Sequence, residues 1–344
     1  MTEHTGNDVR KDARAEPGVR GTGSTSSRRG GRQEFTVAIL AGGLTHERDV
    51  SVRSGRRVAG VLRDEGCEVH VLDVDSRLLP HLTEMQPDVV WPLVHGSTGE
   101  DGSLQNLLDL TGLPYVGSTA GASRLASDKP VAKALATRAG LATPEHAALP
   151  QSVFREVGAR AVLEAVEKRL GLPLVVKPAG GGSALGVTLV ESAAELPDAM
   201  VHCFAYGEVA LLERYVSGTE VAVSVIDVEG SARALPAVEI ETDGAYDFDA
   251  RYNPGRSQFF TPARLDEARL AAAHSLAVAA HEALGLRHLS RTDAIVDAAG
   301  TAWLIDVNVA PGMTETSLFP QAAIADQRDL NEIYLDLVRT AAQG

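Results

Sequence analysis

Arg291, Asp293, Asp306 and Asn308 are the residues whose types and spacing most clearly invite chemistry. Arg291 and Asp293 sit at alternate positions of one apolar run, and Asp306 and Asn308 at alternate positions of the next. Period-two alternation puts each pair on one face of a strand. A turn through Asp297 and Gly300 folds the two runs into a hairpin. Two carboxylates and an amide oxygen on one sheet face are hard oxygen ligands, suited to Mg²⁺ carrying phosphate oxygens. The same pattern also describes a polar sheet face in water. Pro311-Gly312-Met313-Thr314 follows the hairpin.

Lysine usage supplies a second set. Of 32 basic residues only Lys11, Lys129, Lys133, Lys168 and Lys177 are lysine, so a lysine can mark a place where a compact ammonium is wanted. Lys11 lies in a polar tail and Lys168 in a charged helix, which leaves Lys129, Lys133 and Lys177. The strand LPLVVKP delivers Lys177 into Gly180-Gly181-Gly182-Ser183-Ala184-Leu185-Gly186, ahead of VTLVE. A glycine-rich loop between strands is a flap whose backbone N–H groups can close over phosphates. No Gly-Lys-Ser/Thr follows, so it is not a Walker loop. Glu213 and Glu220 flank a turn at Gly218 and, taken alone, read as solvated sheet carboxylates. TDGAYDFDARYNPGRSQFF, aromatic and charged among glycines, reads as a functional loop or lid. His274 and His281 share a helix face with no acidic ligand pattern, so they read as core or surface histidines.

The elements that must position these residues alternate. FTVAIL, CEVHVLDV and DVVWPLV read as short strands, separated by the helix HERDVSVRSGRRVAGVLRDEG and followed by SLQNLLDLTG. That order predicts a parallel sheet with helices on its faces and ligands at the carboxyl ends of its strands. Thr45 to Arg48 and His95 to Gly102 fall there. Ala41-Gly42-Gly43 lacks the third glycine in phase that a dinucleotide site needs. Gly117 to Ser127 is small and polar and leads into a new unit. Asp128 caps a helix carrying Lys129 and Pro130 in its first turn. VFREVGARAVLEAVEKRLG reads as one amphipathic helix, ARLDEARLAAAHSLAVAAHEALG as another, and DLNEIYLDLVRTAA as the last. The expected organisation is a disordered tail over 1–34, an N-terminal Rossmann-like domain over 35–126, a central subdomain with the glycine flap over 127–214, and a C-terminal domain over 215–344 with the metal site and mobile loop.

Composition narrows the class. A hydrophobic share of 44% in 344 residues allows full cores. The net charge is -14, and residues 1–34 contain more Arg and Lys than Asp and Glu, so the acidity belongs to the body. An acidic body argues against a broad nucleic-acid surface. No apolar run is long enough to span a membrane, no signal peptide is visible, and Cys67 and Cys203 fit no metal spacing. The expectation is a cytoplasmic protein without disulfides.

A lysine-bearing strand, a glycine flap, an acidic strand pair and a late Asp/Asn hairpin describe ATP held between two sheets. The pattern resembles the ATP-grasp superfamily, and within it the D-alanine–D-alanine ligases. The resemblance runs from about Phe35 to the C-terminus through HERDVSVRSG, HGSTGEDGSLQ, YVGST, SDK, VVKPAGGGSALGV, YDFDARY, the Arg291/Asp293 pair and DVNVAPGMTETSLFP. It implies an α/β ATP-grasp fold, ATP with Mg²⁺ (or Mn²⁺) as cofactors, D-alanine as substrate, a homodimer, and a product for peptidoglycan precursors. It implies that Lys129, Lys177, Arg251 and the flap from Ser183 through Ala184 to Gly186 meet the phosphates. Glu213, Val216 and Glu220 would sit by adenine and ribose, and Asp293, Asp306 and Asn308 would hold metal. Arg291 and the Gly312 N–H would face an oxyanion. Glu47, with Ser183 and Tyr252, would hold the first D-alanine. Ser317 and the Leu318 N–H, with His95 nearby, would hold the second.

Three positions depart from the family pattern: Asp306 stands where Glu is usual, Arg251 where Lys is usual, and Ala184 where a second Ser is usual. They keep two alternatives open. One is a paralogue joining or cyclising a different D-amino acid, for resistance or natural-product synthesis. The other is a non-catalytic ATP-binding relative. Tyr252 argues against a depsipeptide-forming type.

Overall fold

The computed structural model describes residues 35–242 and 257–343. The tail expected over 1–34, together with Arg251 and Tyr252, lies outside the described residues. Three sheets account for the described strands. The first contains β1 (Thr36–Leu40), β2 (Glu68–Leu72) and β3 (Val89–Pro92), all parallel in the order β2-β1-β3. β1 and β3 are almost wholly buried because helices cover both faces of this sheet. The helix Arg48–Asp64 lays Ser54, Val58, Ala59 and Leu62 on the sheet. A Cβ added at Gly55 would meet the Ala41 Cβ at 2.6 Å, so the close approach of helix and strand there needs glycine. The polar loops at 41–47 and 93–102 emerge at the carboxyl ends of these strands, as expected of a parallel sheet.

The second sheet is antiparallel. It contains β4 (His146–Pro150), β5 (Leu174–Pro178), β6 (Thr188–Val190) and β7 (Val209–Arg214) in the order β4-β7-β5-β6. The helices Ala159–Leu170 and Leu196–Phe204 back it through Val166, Leu170, Ala199 and Met200, which pack with Val176 and Leu212. The single helix expected from Val153 to Leu170 is broken. Phe154–Gly158 is a π-helical stretch, and Gly158 at its end takes φ +95°, which sets it off from the α-helix Ala159–Leu170. Gly117 to Ser127 also does more than lead onward, because Thr119 caps a helix over Ala120–Ser127.

The third sheet contains β8 (Thr219–Val228), β9 (Ser231–Ala234), β10 (Val238–Thr242), β11 (Ser257–Phe260), β12 (His288–Val296) and β13 (Ala302–Asn308). Its order is β11-β10-β8-β12-β13, with β9 on β8. The β12–β13 hairpin turns through Asp297 and Gly300, and its register pairs Arg291 with Asn308 and Asp293 with Asp306. The helix Glu267–Ala283, capped by Asp266, buries Ala273, Ala277 and Ala280 against this sheet. Ala132 and Ala136 of the helix Lys129–Arg138 pack into the same core. His281 is a core histidine whose Nδ1 lies 2.8 Å from the Ser290 hydroxyl. On the other face, Phe319 and the closing helix Leu330–Gln343 share one core with the first sheet. There Trp91 meets Tyr334 edge to face, with ring centroids 5.4 Å apart. Each such aromatic or aliphatic side chain contributes about 1.5–3 kcal/mol on full burial, so this shared core holds the parallel sheet against the hairpin sheet.

Candidate active site

The helix Lys129–Arg138 begins at Asp128, whose carboxylate accepts from the Val131 N–H at 3.1 Å, with Pro130 in the first turn. Lys129 and Lys133 are one helical turn apart and so share a face. On the central sheet, Val175 is directly opposite Glu213, which puts Lys177 and Glu213 on one face in diagonal contact. These three lysines converge on three consecutive residues of β13. Lys133 Nζ donates to the Leu304 carbonyl at 3.1 Å and Lys177 Nζ to the Ile305 carbonyl at 3.4 Å. Lys129 Nζ lies 3.0 Å from the Asp306 carboxylate and donates to the Gly181 carbonyl of the flap at 2.9 Å. Glu213 sits between two of them, 2.6 Å from Lys133 and 2.5 Å from Lys177.

Glu213 is therefore not the solvated carboxylate its strand position suggested, since it is only 2% exposed. Burial works against its charge, but Lys177 and Lys133 outweigh burial and hold its pKa below the usual range. Asp306 behaves alike, with burial outweighed by Lys129 and Lys177. Burial pushes Lys133 down to about 8 against the attraction of Glu213.

Between the second and third sheets lies a cavity of about 810 Å³, lined by the flap, Lys129, Lys177, Val216, Glu220 and the hairpin face. Ser183 and Ala184 at the tip of the flap both have positive φ, +56° and +54°. For residues with a Cβ this costs of order 1 kcal/mol or more each, and such a turn presents successive backbone N–H groups to one side. The Ser183 hydroxyl donates to the Glu47 carboxylate, which ties the flap to the loop after β1.

The predicted metal ligands are brought together on the hairpin. Asp293 takes a two-pronged contact from Arg291, at 2.7 and 2.9 Å, and Asp306 lies across the register from it. The Asn308 side-chain oxygen accepts from the Ala310 N–H at 2.8 Å. Among the described lining residues, Asp101, Glu213, Glu220, Glu239, Glu241, Asp293 and Asp306 outnumber Lys129, Lys177, Arg214 and Arg291. A polyphosphate placed against that wall calls for more positive charge than these lysines and arginines supply. The oxygen donors of Asp293, Asp306 and Asn308 fit a hard divalent cation that would accompany it.

Beside this floor, three residues hold the loop after β13. His95 Nδ1 donates to the Ala310 carbonyl at 3.1 Å, which leaves Nε2 to accept from the Ser54 hydroxyl at 3.5 Å. Ser54 in turn accepts from the Met313 N–H at 3.1 Å. Burial keeps His95 neutral by lowering its pKa. Pro311 and Gly312 are thus held from both sides. A Cβ on Gly312 would meet the Ser317 hydroxyl at 2.8 Å, and that hydroxyl accepts from the Thr314 N–H at 3.0 Å. Leu318 begins the helix Leu318–Ala325. Glu100, 17% exposed, accepts from the Gly96 N–H at 3.2 Å. Burial and the neighbouring Glu47 charge push its pKa up to about 8.

Of the expected site residues, those among the described residues gather around this cavity and the loops at its edge. Sequence reasoning gave no role to Lys133, Thr143, Ser54 or Glu100. The scarcity of lysine and the one-turn spacing from Lys129 did mark Lys133, and Ser54 and Glu100 fall inside HERDVSVRSG and HGSTGEDGSLQ, whereas Thr143 carries no local signal.

Residues 135–339 match the family model described as the D-ala D-ala ligase C-terminus, and residues 78–118 that of the D-ala D-ala ligase N-terminus. The D-alanine–D-alanine ligase of Anaeromyxobacter dehalogenans (strain 2CP-1 / ATCC BAA-258) is 42% identical over 288 residues, 83% of this chain and 90% of that protein. The chain belongs to the D-alanine–D-alanine ligase family. The Bordetella petrii member is 38% identical over 307 residues, 89% of this chain and 92% of its own length. Among solved structures, the Bacillus anthracis D-alanine–D-alanine ligase complexed with ATP superposes with a TM-score of 0.74 at 26% identity, covering 90% of this chain and 98% of that one. VanG, a D-Ala:D-Ser ligase from Enterococcus faecalis, gives 0.77 at 24% identity over 90% of this chain and 100% of its own, a likeness of fold. The α/β ATP-grasp architecture expected from the sequence is the one found.

Proposed function

We propose that this protein is an ATP-dependent, ADP-forming D-alanine–D-alanine ligase that makes the dipeptide for peptidoglycan precursors. The observation that carries the reading is the Ser183–Glu47 hydrogen bond. It joins a phosphate-binding flap to a carboxylate suited to an amino-acid ammonium, over a cavity floored by lysines and paired aspartates. Family membership supplies the substrate. In the reaction, the first D-alanine carboxylate attacks the terminal phosphorus of ATP, and ADP leaves with the bridging oxygen. The second D-alanine amine attacks the carbonyl of the resulting acyl phosphate and loses a proton. Phosphate departs as the amide forms.

Each residue then has a task. Lys129 and Lys177, with the flap N–H groups from Ser183 through Ala184 to Gly186, bind phosphate oxygens, and Arg251 joins them. Glu213 and Glu220 would sit by adenine and ribose, with the backbone at Val216 reading the base; all three line the cavity. Asp293, Asp306 and Asn308 would hold Mg²⁺, which supplies charge neutralisation and in-line orientation of the phosphoryl group. Glu47 binds the first ammonium, and Ser183 and Tyr252 close the loop so that water is kept from the acyl phosphate. Arg291 and the Gly312 N–H stabilise the tetrahedral oxyanion. Ser317 and the Leu318 N–H receive the second carboxylate. His95 lies near that carboxylate, and its bond to the Ala310 carbonyl gives it the further task of holding the loop.

The proposal includes the domain limits 35–126, 127–214 and 215–344, and a cytoplasmic homodimer. Among the described residues no helix is long and apolar enough to cross a membrane. The test is phosphate release. It should require ATP and D-alanine together, and release that is no faster with D-alanine than without would overturn the proposal.

A further inference from the structure

Lys133 has no task in the reaction as written. It is 1% exposed and lies outside the cavity lining, although Lys129, Lys177 and Glu213 all belong to it. An ammonium taken so completely from water costs several kcal/mol unless partners compensate. Lys133 has three partners, from three parts of the chain. They are the Glu213 carboxylate of β7 at 2.6 Å, the Thr143 hydroxyl at 2.8 Å and the Leu304 carbonyl of β13 at 3.1 Å. The second oxygen of Glu213 holds Lys177 at 2.5 Å. One carboxylate therefore serves two ammonium groups, of which only Lys177 faces the cavity.

We propose that Lys133 is a positioning residue for the phosphates of the nucleotide, acting through Glu213. It neutralises the carboxylate from behind, so that Glu213 orients the Lys177 ammonium without cancelling its charge. Its bond to Leu304 also fixes Glu213 relative to β13, where Ile305 and Asp306 take Lys177 and Lys129. Without Lys133, Glu213 and Lys177 form a closed neutral pair with little attraction left for an anion. Burial lowers the Lys133 pKa, while the Glu213 carboxylate at 2.6 Å favours the ammonium form. The inference rests on the ligase reading in taking ATP as the anion.

The test is a double-mutant cycle on ATP affinity, measured by titration calorimetry with Mg²⁺ and without D-alanine on the full chain. Its members are wild type, Lys133→Met, Glu213→Gln and the pair together. Lys133→Met should weaken ATP binding ten-fold or more, about 1.4 kcal/mol. In the Glu213→Gln background it should matter less than three-fold, because the charge it balances is gone. Should the methionine variant not fold, Lys133→Gln keeps N–H donors at the same depth and should act in the same direction. A folded Lys133 variant binding ATP within two-fold of wild type would overturn the inference. So would an equal loss in both backgrounds, which marks a purely structural lysine. Wild type that binds ATP but releases no phosphate with D-alanine would sink the ligase reading while the cycle still decides on Lys133. Wild type that does not bind ATP would sink both.

Discussion

Glu100→Gln should stabilise the ligand-free protein at pH 8 and do so progressively less toward pH 5. Burial, helped by the Glu47 charge, raises the Glu100 carboxyl from 4.5 to about 8. Between those values the folded protein keeps a proton that the unfolded chain has released. A raised carboxyl pKa therefore costs nothing below the lower value, and the cost grows as pH rises and levels off above the higher one. The slope is about 1.4 kcal/mol per pH unit, which across that window approaches 5 kcal/mol as an upper bound. The side chain keeps 17% exposure and one N–H donor from Gly96, so we expect less than half of that bound, about 2 kcal/mol at pH 8. Glutamine removes the charge, and its amide oxygen can still accept from Gly96. Denaturant unfolding of both proteins from pH 5 to 8.5 measures the difference, which corresponds to a Tm gain of about 4 °C at the alkaline end. A difference that does not change with pH, or a variant less stable than wild type at pH 8, would refute the reasoning.

Asp306→Glu restores the carboxylate usual in the family, and turnover should stay within three-fold or rise. A loss beyond ten-fold in steady-state phosphate release would mean that the site has been rebuilt around the shorter side chain that Lys129 now meets at 3.0 Å. Ser54→Ala removes the acceptor of the Met313 N–H and the partner of His95. A buried hydrogen bond of about 1–2 kcal/mol predicts a kcat loss of about 5- to 30-fold, with the KM for ATP unchanged. Gly312→Ala puts a methyl group 2.8 Å from the Ser317 hydroxyl, so the KM for the second D-alanine should rise together with a fall in kcat. Wild-type values for both would remove Gly312 from the oxyanion role.

What the sequence made legible was local. The hairpin from Arg291 to Asn308 could be read because strand alternation and an Asp297–Gly300 turn are neighbours in the chain, and the register found pairs the same faces. The Asp128 cap and the Lys177-to-flap succession were legible for the same reason. Glu213 was not. Its environment comes from a helix some eighty positions earlier and a strand some ninety later, and no window along β7 contains either. Ser54 looks like any small residue on a helix face until the loop at Met313 arrives against it. The break at Gly158 was missed because the amphipathic pattern continues across it, and only its positive φ reveals the interruption.

The central claim is the identity of the product, and it can be measured directly. The purified protein is supplied with ATP, Mg²⁺ and an equimolar pool of D-amino acids, and products are identified by mass spectrometry alongside released phosphate. The account predicts D-alanyl-D-alanine as the dominant product, with one phosphate per dipeptide. A dominant dipeptide with another residue in the second position, a cyclised product, or phosphate without any dipeptide would contradict it.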